Sequence, residues 1–291
     1  MTAKTNYKRM MGLILSLVLA LGAFAGCSGA NQSSNEDNSG ASQINGGTNT
    51  EDSEKDLLAR IKESGVITIA TEGDWSPWTY HDESGELVGL DIEIGKLIAE
   101  GLGVEAKFEE TTWDSILAGV QSGRFDIACN GVGYTEERAE SFHFSDPYVY
   151  THKVLVVRGD NEDITSFEDL NGKTTANTAS STYAALAESY GATVTPVDSL
   201  TDTIELVSMG RVDATINAQV SILDYLEEHP DANIKIVAIA DGDPVCYPVQ
   251  KSDDALSLIQ EVNRILEENR QNGKLAEISI KYFGVDLTEE N

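Results

Sequence analysis

The chain has 291 residues, with 49 acidic against 20 basic side chains and a formal charge of −29. That balance excludes a nucleic-acid partner, because phosphate binding needs clustered Lys and Arg, and it describes a solvated acidic surface. Three cysteines are too few for a disulfide framework.

At the N-terminus Lys4, Lys8 and Arg9 precede an apolar run over residues 13–24, followed by Ala25, Gly26 and Cys27. The pattern predicts a secretion signal over residues 1–26 rather than a membrane-spanning helix. Phe24-Ala25-Gly26-Cys27 resembles a bacterial lipobox, with Phe24 where an aliphatic residue is usual. Cys27 is therefore expected to be lipidated, and the protein to be extracytoplasmic and anchored to the cell membrane. Residues 28–53 are rich in Ser, Asn, Gly and Glu and lack apolar periodicity. With Cys27 they make a disordered linker over residues 27–54, a tether between anchor and folded body.

From Leu57 onward there is room for one large or two modest cores. Val66-Ile67-Thr68-Ile69-Ala70-Thr71 is a continuous β-prone run of the kind buried on both faces of a parallel sheet. Leu90, Ile94, Leu97, Ile98 and Leu102 then recur at helical spacing; Asp91 is expected to cap the first turn, and Gly101 and Gly103 to end the last. Further strands are predicted over 104–108, 126–129, 153–157, 174–177, 193–196, 214–217 and 234–239. Helices are predicted near 112–122, 182–189, 202–208, 220–228 and 255–272. This alternation implies an α/β fold with a mainly parallel sheet. Cys129 and Cys246 stand in apolar, strand-like contexts and are expected to be buried free thiols.

The string from Gly89 to Leu102 (Gly-Leu-Asp-Ile-Glu-Ile-Gly-Lys-Leu-Ile-Ala-Glu-Gly-Leu) resembles the signature of the bacterial extracellular solute-binding proteins that serve polar amino acid ABC importers, family 3. The resemblance continues more weakly over residues 57–284. It implies the periplasmic-binding-protein type II fold: two α/β lobes joined by two hinge strands, with the ligand cleft between them. Lobe 1 is expected over 55–152 and 246–286, lobe 2 over 153–245, and a C-terminal tail over 287–291.

A free amino acid carries a carboxylate and an ammonium, and a closing cleft removes water from both, so each needs a partner. The resemblance implies that Arg138, in Asn130-Gly131-Val132-Gly133-Tyr134-Thr135-Glu136-Glu137-Arg138, grips the carboxylate through its bidentate fork. The plainer alternative is a surface Arg pairing with Glu136 or Glu140. The same segment places Asn130, Gly131 and Gly133 on the cleft wall; Gly133 stands where many relatives carry Ser or Thr, leaving only its backbone N–H. Trp75 and Trp113 match aromatics that sandwich the ligand's side chain, offering apolar area at low entropy cost, whereas Trp78 matches a packing aromatic. Glu72 matches a cleft acid. Thr178, Ser180 and Ser181 resemble a carboxylate loop at a helix start, a reading compatible with a simple N-cap. In Asn217-Ala218, relatives commonly place at 218 an aspartate that pairs with the ligand ammonium. Ala218 lacks it, so Glu72 or a neutral contact from Asn217 is expected to compensate.

The segments at 112–114, Asn130 and 211–226 resemble those of cystine-binding members. Cystine or a related polar amino acid is the expected ligand, with glutamine, other polar amino acids and unusual derivatives as alternatives. The implied function is delivery of that ligand to ABC permease subunits by a monomeric, lipid-anchored protein that needs no metal and no cofactor. A cyclohexadienyl dehydratase-like enzyme shares the fold, but an acid or base is needed for that chemistry and only Glu72 is obvious. A ligand sensor presenting its closed form to a membrane receptor is a further alternative. His81, His143, His152 and His229 show no metal-ligand or triad spacing.

Overall fold

The computed structural model describes residues 55–290; the expected signal, Cys27 and the linker up to residue 54 lie outside them. The chain opens with α1 (Leu57–Ser64), β1 (Val66–Thr71), a ribbon of β2 (Asp74–Trp75), β3 (Thr79–His81) and β4 (Leu87–Val88), and α2 (Leu90–Leu102). It continues through β5 (Glu105–Glu110), α3 (Trp113–Gln121), β6 (Ile127–Ala128), the one-turn α4 (Glu136–Ala139) and β7 (Phe142–Phe144). The long β8 (Val149–Arg158) carries it into β9 (Thr174–Asn177), α5 (Thr182–Ser189), β10 (Thr193–Pro196), α6 (Leu200–Ser208), β11 (Ala214–Ala218) and α7 (Gln219–Glu228). An equally long β12 (Ile234–Val245) returns to β13 (Pro248–Gln250), α8 (Leu256–Gln271) and α9 (Lys274–Phe283).

Two sheets organise the two lobes. In the first lobe β1 lies between β5 and β6, all parallel. Its Ile67 and Ile69 are wholly buried, as a strand covered on both faces requires. In the second the order is β10-β9-β11-β8-β12. Here the expectation of a mainly parallel sheet fails at β8, which runs antiparallel to both β11 and β12. The physical reason is the connectivity: β8 and β12 are the outgoing and returning crossings between the lobes, and two such crossings must run in opposite directions. They pair from Val149↔Val245 to Arg158↔Ile234, with register shifts between Ile236 and Ala238 and between Asp241 and Pro244.

Helix α2 buries Leu90, Ile94, Ile98 and Leu102, as their spacing predicts. Gly103, in the left-handed region, ends it, while Gly101 lies inside the helix. Asp91 is not its cap. Gly89 holds that position, and the Asp91 carboxylate points inward, fully buried. It accepts from the Tyr148 hydroxyl at 2.6 Å, the Tyr247 hydroxyl at 3.0 Å and the Gly131 N–H at 2.5 Å. Burial raises its pKa to about 6 against the pull of those three donors. Tyr148 and Tyr247, stacked with ring centroids 4.1 Å apart, flank the near ends of β8 and β12. This one carboxylate therefore ties both crossings to the loop after β6, which forms part of the cleft wall.

Cys129 and Cys246 are buried free thiols, and burial pushes the Cys246 thiol up to about 12. Among the described residues no helix is long and apolar enough to cross a membrane.

Candidate functional site

Between the lobes lies a cavity whose empty space, open mouth included, is about 740 Å³. Glu72, Trp75, Trp113, Gly131, Gly133 and Arg138 line it from the first lobe, and Thr178, Ser181 and Asn217 from the second. Glu72 follows β1, Trp75 lies in β2, Trp113 opens α3 after β5, and Gly131 and Gly133 follow β6. Arg138 lies in α4, Thr178 and Ser181 follow β9, and Asn217 is near the end of β11, mostly toward the carboxyl ends of strands, where α/β folds collect ligands.

Arg138 is delivered by α4, whose N-cap Thr135 takes the Arg138 N–H on its hydroxyl at 3.1 Å. The side chain turns to the cleft, away from Glu136 and Glu140. Its Nη1 donates to the Gly133 carbonyl at 2.8 Å, and its Nη2 crosses the cleft to the Ser180 carbonyl at 3.0 Å. The guanidinium sits 5.3 Å from the Trp113 ring centroid, a cation–π distance. Desolvation lowers its pKa, opposed by Asp243. Ser180 also donates its hydroxyl to Asp114 of α3. These bonds join the lobes, so the conformation is closed.

Glu72 hangs from the loop after β1. Its Oε2 accepts from the Asn130 Nδ2 at 2.6 Å, and the Asn130 Oδ1 accepts the Glu72 N–H at 2.8 Å. Asn130 is itself wholly buried. That corrects its expected place on the cleft wall: it stands one layer behind, clamping Glu72, because its amide is spent on the β1 loop. Burial, countered by that clamp and reinforced by Asp74, raises the Glu72 pKa to about 7.

Trp75 stacks on Trp78 at 5.3 Å between centroids. Trp78 is 1% exposed yet lines the cavity through its ring, so it is core and wall together. The indole nitrogens of Trp75 and Trp113 are buried without a partner, donors open to a ligand acceptor. In the second lobe Ser181 caps α5, accepting the Ala184 N–H at 3.1 Å while donating to the Thr178 carbonyl at 2.7 Å. Its hydroxyl is therefore occupied, and what it and Thr178 offer a ligand is the helix start itself. Ser180 meets Arg138 and Asp114 at the mouth rather than the interior. Asn217 lines the cavity but spends its Oδ1 on the Ala218 N–H at 2.8 Å. Ala218 is fully buried in the core cluster and is not on the cavity surface.

Sequence reasoning missed Lys153 and Asp243, which line the cavity from the two hinge strands and pair at 2.8 Å. It also missed Tyr183, Asp74 and Asp198 on the wall.

A closed, two-lobed α/β fold with two hinge strands and a charged, tryptophan-lined cleft defines the type II periplasmic-binding class. The chain belongs to the bacterial extracellular solute-binding proteins, family 3, whose model matches residues 67–285. It is similar to the L-cystine-binding protein TcyA of Bacillus subtilis (strain 168), 36% identical over 278 residues that cover 95% of this chain and 98% of that one. Among solved structures it is similar to an ancestral arginine-binding protein bound to arginine, with 34% identity, a TM-score of 0.70, and 76% of this chain and 99% of that one covered. It is also similar to the L-cystine solute receptor of Neisseria gonorrhoeae in its unliganded open conformation, with 36% identity, a TM-score of 0.54, and 80% and 99% covered. The lower score at slightly higher identity is what a hinge rotation between open and closed lobes produces.

Proposed function

We propose that this protein is the extracytoplasmic substrate-binding component of an ABC importer for a polar amino acid, with cystine or a related amino acid as its ligand. The observation that carries the reading is Arg138, desolvated in the cleft and bonded to both walls through Gly133 and Ser180. A cation fixed there, with unspent N–H groups, is the partner a ligand carboxylate requires. Trp75 and Trp113 supply the apolar faces, Glu72 an anion, Gly131, Gly133, Thr178, Ser181 and Asn217 the remaining wall, and Asn130 and Ser180 support from behind and at the mouth. Ala218 gives the adjoining core its shape. The lobes comprise 55–152 with 246–286, and 153–245; closure over the ligand presents both to the permease. The protein acts by binding, not by turnover, and works as a monomer.

The test is a thermal-shift screen of the purified protein against the standard amino acids and L-cystine. A binder present at about a hundred times its Kd stabilises the fold by roughly 2.7 kcal/mol, so one or a few polar amino acids should raise the melting temperature by several degrees. A flat response across the panel overturns the reading.

Residues 24–27 further suggest lipidation at Cys27 after removal of residues 1–26. Cys27→Ser should move the protein from the membrane fraction to the soluble one. Unchanged membrane association of that variant removes the anchor from the account.

A further inference from the structure

An α-amino acid carries its carboxylate and its ammonium on one carbon, so the cation and the anion that receive them must stand side by side. Arg138 is the cation. The anion expected at position 218 is absent, and Ala218 is sealed in the core. The acid whose charge acts most strongly on Arg138 is Asp243. It also acts on Tyr183, another residue of the cavity wall. Glu72 has different charged neighbours, Asp74 and Asp114, and its carboxylate is held by Asn130.

The chain goes to some length to put Asp243 there. Strand β12 slips register against β8 between Asp241 and Pro244, and a bulge of this kind re-aims a side chain. Gly242 inside the bulge lies so near β8 that a Cβ would meet the Thr151 carbonyl oxygen at 1.9 Å. No other residue fits. Asp243 then lines the cavity opposite Gly133, where a Cβ would stand 3.0 Å from both the Asp243 Cβ and its Oδ2. The hydroxyl residue common in relatives at 133 would therefore crowd Asp243. Lys153, the register partner of Ala218 on the next strand, reaches Asp243 Oδ2 at 2.8 Å with its side chain 10% exposed. That contact is between charges and does not follow a hydrogen-bond direction. The carboxylate thus keeps acceptor positions open.

We propose that Asp243 receives the α-ammonium of the ligand, in place of the carboxylate missing at position 218, and that Lys153 fixes its orientation. Gly133, Ala218 and the Gly242 bulge then fit together: neither 133 nor 218 carries a polar side chain, and the hinge supplies the aspartate. This assignment rests on the amino-acid reading given above. It places ammonium recognition on β12, the strand that carries the closing motion, so the same contact serves binding and closure.

The test is calorimetric titration of L-cystine, L-arginine and L-glutamine, with the des-amino counterpart of whichever binds, into native protein and Asp243→Asn. Unliganded melting curves are recorded for each. Truncating one partner of a buried charge pair should weaken binding of the amino acid by roughly thirtyfold to several-thousandfold in Asp243→Asn. The des-amino counterpart should bind native and variant alike. An Asp243→Asn that binds the amino acid as native does overturns the assignment. So does a loss that the des-amino compound shares, since that is the behaviour of a structural residue. If Asp243→Asn melts poorly because Lys153 is left unpaired, Asp243→Asn/Lys153→Met removes both charges and is read in the same way. Native protein that binds none of the three probes or any other amino acid overturns the amino-acid reading, and this assignment with it; native binding with an unaffected Asp243→Asn overturns this assignment alone.

Discussion

Arg138→Ala is expected to abolish measurable ligand binding while leaving the fold intact. Its guanidinium bonds two carbonyls, Gly133 on its own wall and Ser180 on the other, and rests against Trp113. None of these is a core contact whose loss would unfold a lobe. A ligand carboxylate in the closed cleft has lost its water, and removing its cation leaves it buried and unpaired. That costs on the order of 3–5 kcal/mol, a hundredfold to several-thousandfold in affinity. Arg138→Lys should recover only part, because a point charge cannot bond the Gly133 carbonyl, the Ser180 carbonyl and a carboxylate in one plane. Calorimetry with the ligand found by thermal shift gives the answer, with the unliganded melting temperature as the control for folding. A loss below about tenfold, which is about 1.4 kcal/mol, returns Arg138 to a surface role.

How much of this could be read from the sequence depends on whether the signal was local. The predicted α5 at 182–189, β9 at 174–177 and β10 at 193–196 coincide with the observed elements, because apolar periodicity and β-branched runs are properties of contiguous residues. Helices α1 and α9 were not predicted, although α1 is short and polar and most of its order comes from Leu57 and Ile61 docking in the core. Asp91 looked like a cap because only its place near a helix start is visible in sequence; Tyr148 and Tyr247, the residues that draw it inward, are 57 and 156 positions away. The site divides in the same way. Arg138, Trp75, Trp113 and Glu72 came from motif segments, each carried by one loop, and all line the cavity. Lys153 and Asp243 meet only because β8 and β12 pair across the hinge with a bulge, and no local pattern announces that pairing.

Glu72→Gln is expected to weaken binding of a ligand with a second cationic group, such as cystine or arginine, by at least about 2 kcal/mol, the range for hydrogen bonds to charged groups. Sequence alone offered Glu72 as the anion that compensates for Ala218. The structure sets it beside Asp74 and Asp114, and with Asp243 receiving the α-ammonium the cation left for Glu72 is the ligand's second one. The pH dependence separates this from a packing effect. With its pKa raised to about 7 in the empty cleft, Glu72 is only partly ionised near neutrality, and a cation arriving beside it favours the carboxylate. Ligand binding should then release protons at pH 6–7 and tighten as pH rises through 7, by up to about tenfold per pH unit below that value. Titrations in buffers of different ionisation enthalpy measure the release directly, and Glu72→Gln should eliminate it. The unliganded protein should show the converse. Because the folded pKa lies above the ordinary 4.5, the stability linked to Glu72 is fully present below pH 4.5 and is lost as pH rises through 7, a loss that Glu72→Gln should remove. Ala218→Asp in the native background should lower the unliganded melting temperature rather than improve affinity, since it buries a carboxylate in the core cluster. Normal cystine and arginine binding by Glu72→Gln, with proton release unchanged, would show that the carboxylate meets no ligand cation and serves only the clamp with Asn130.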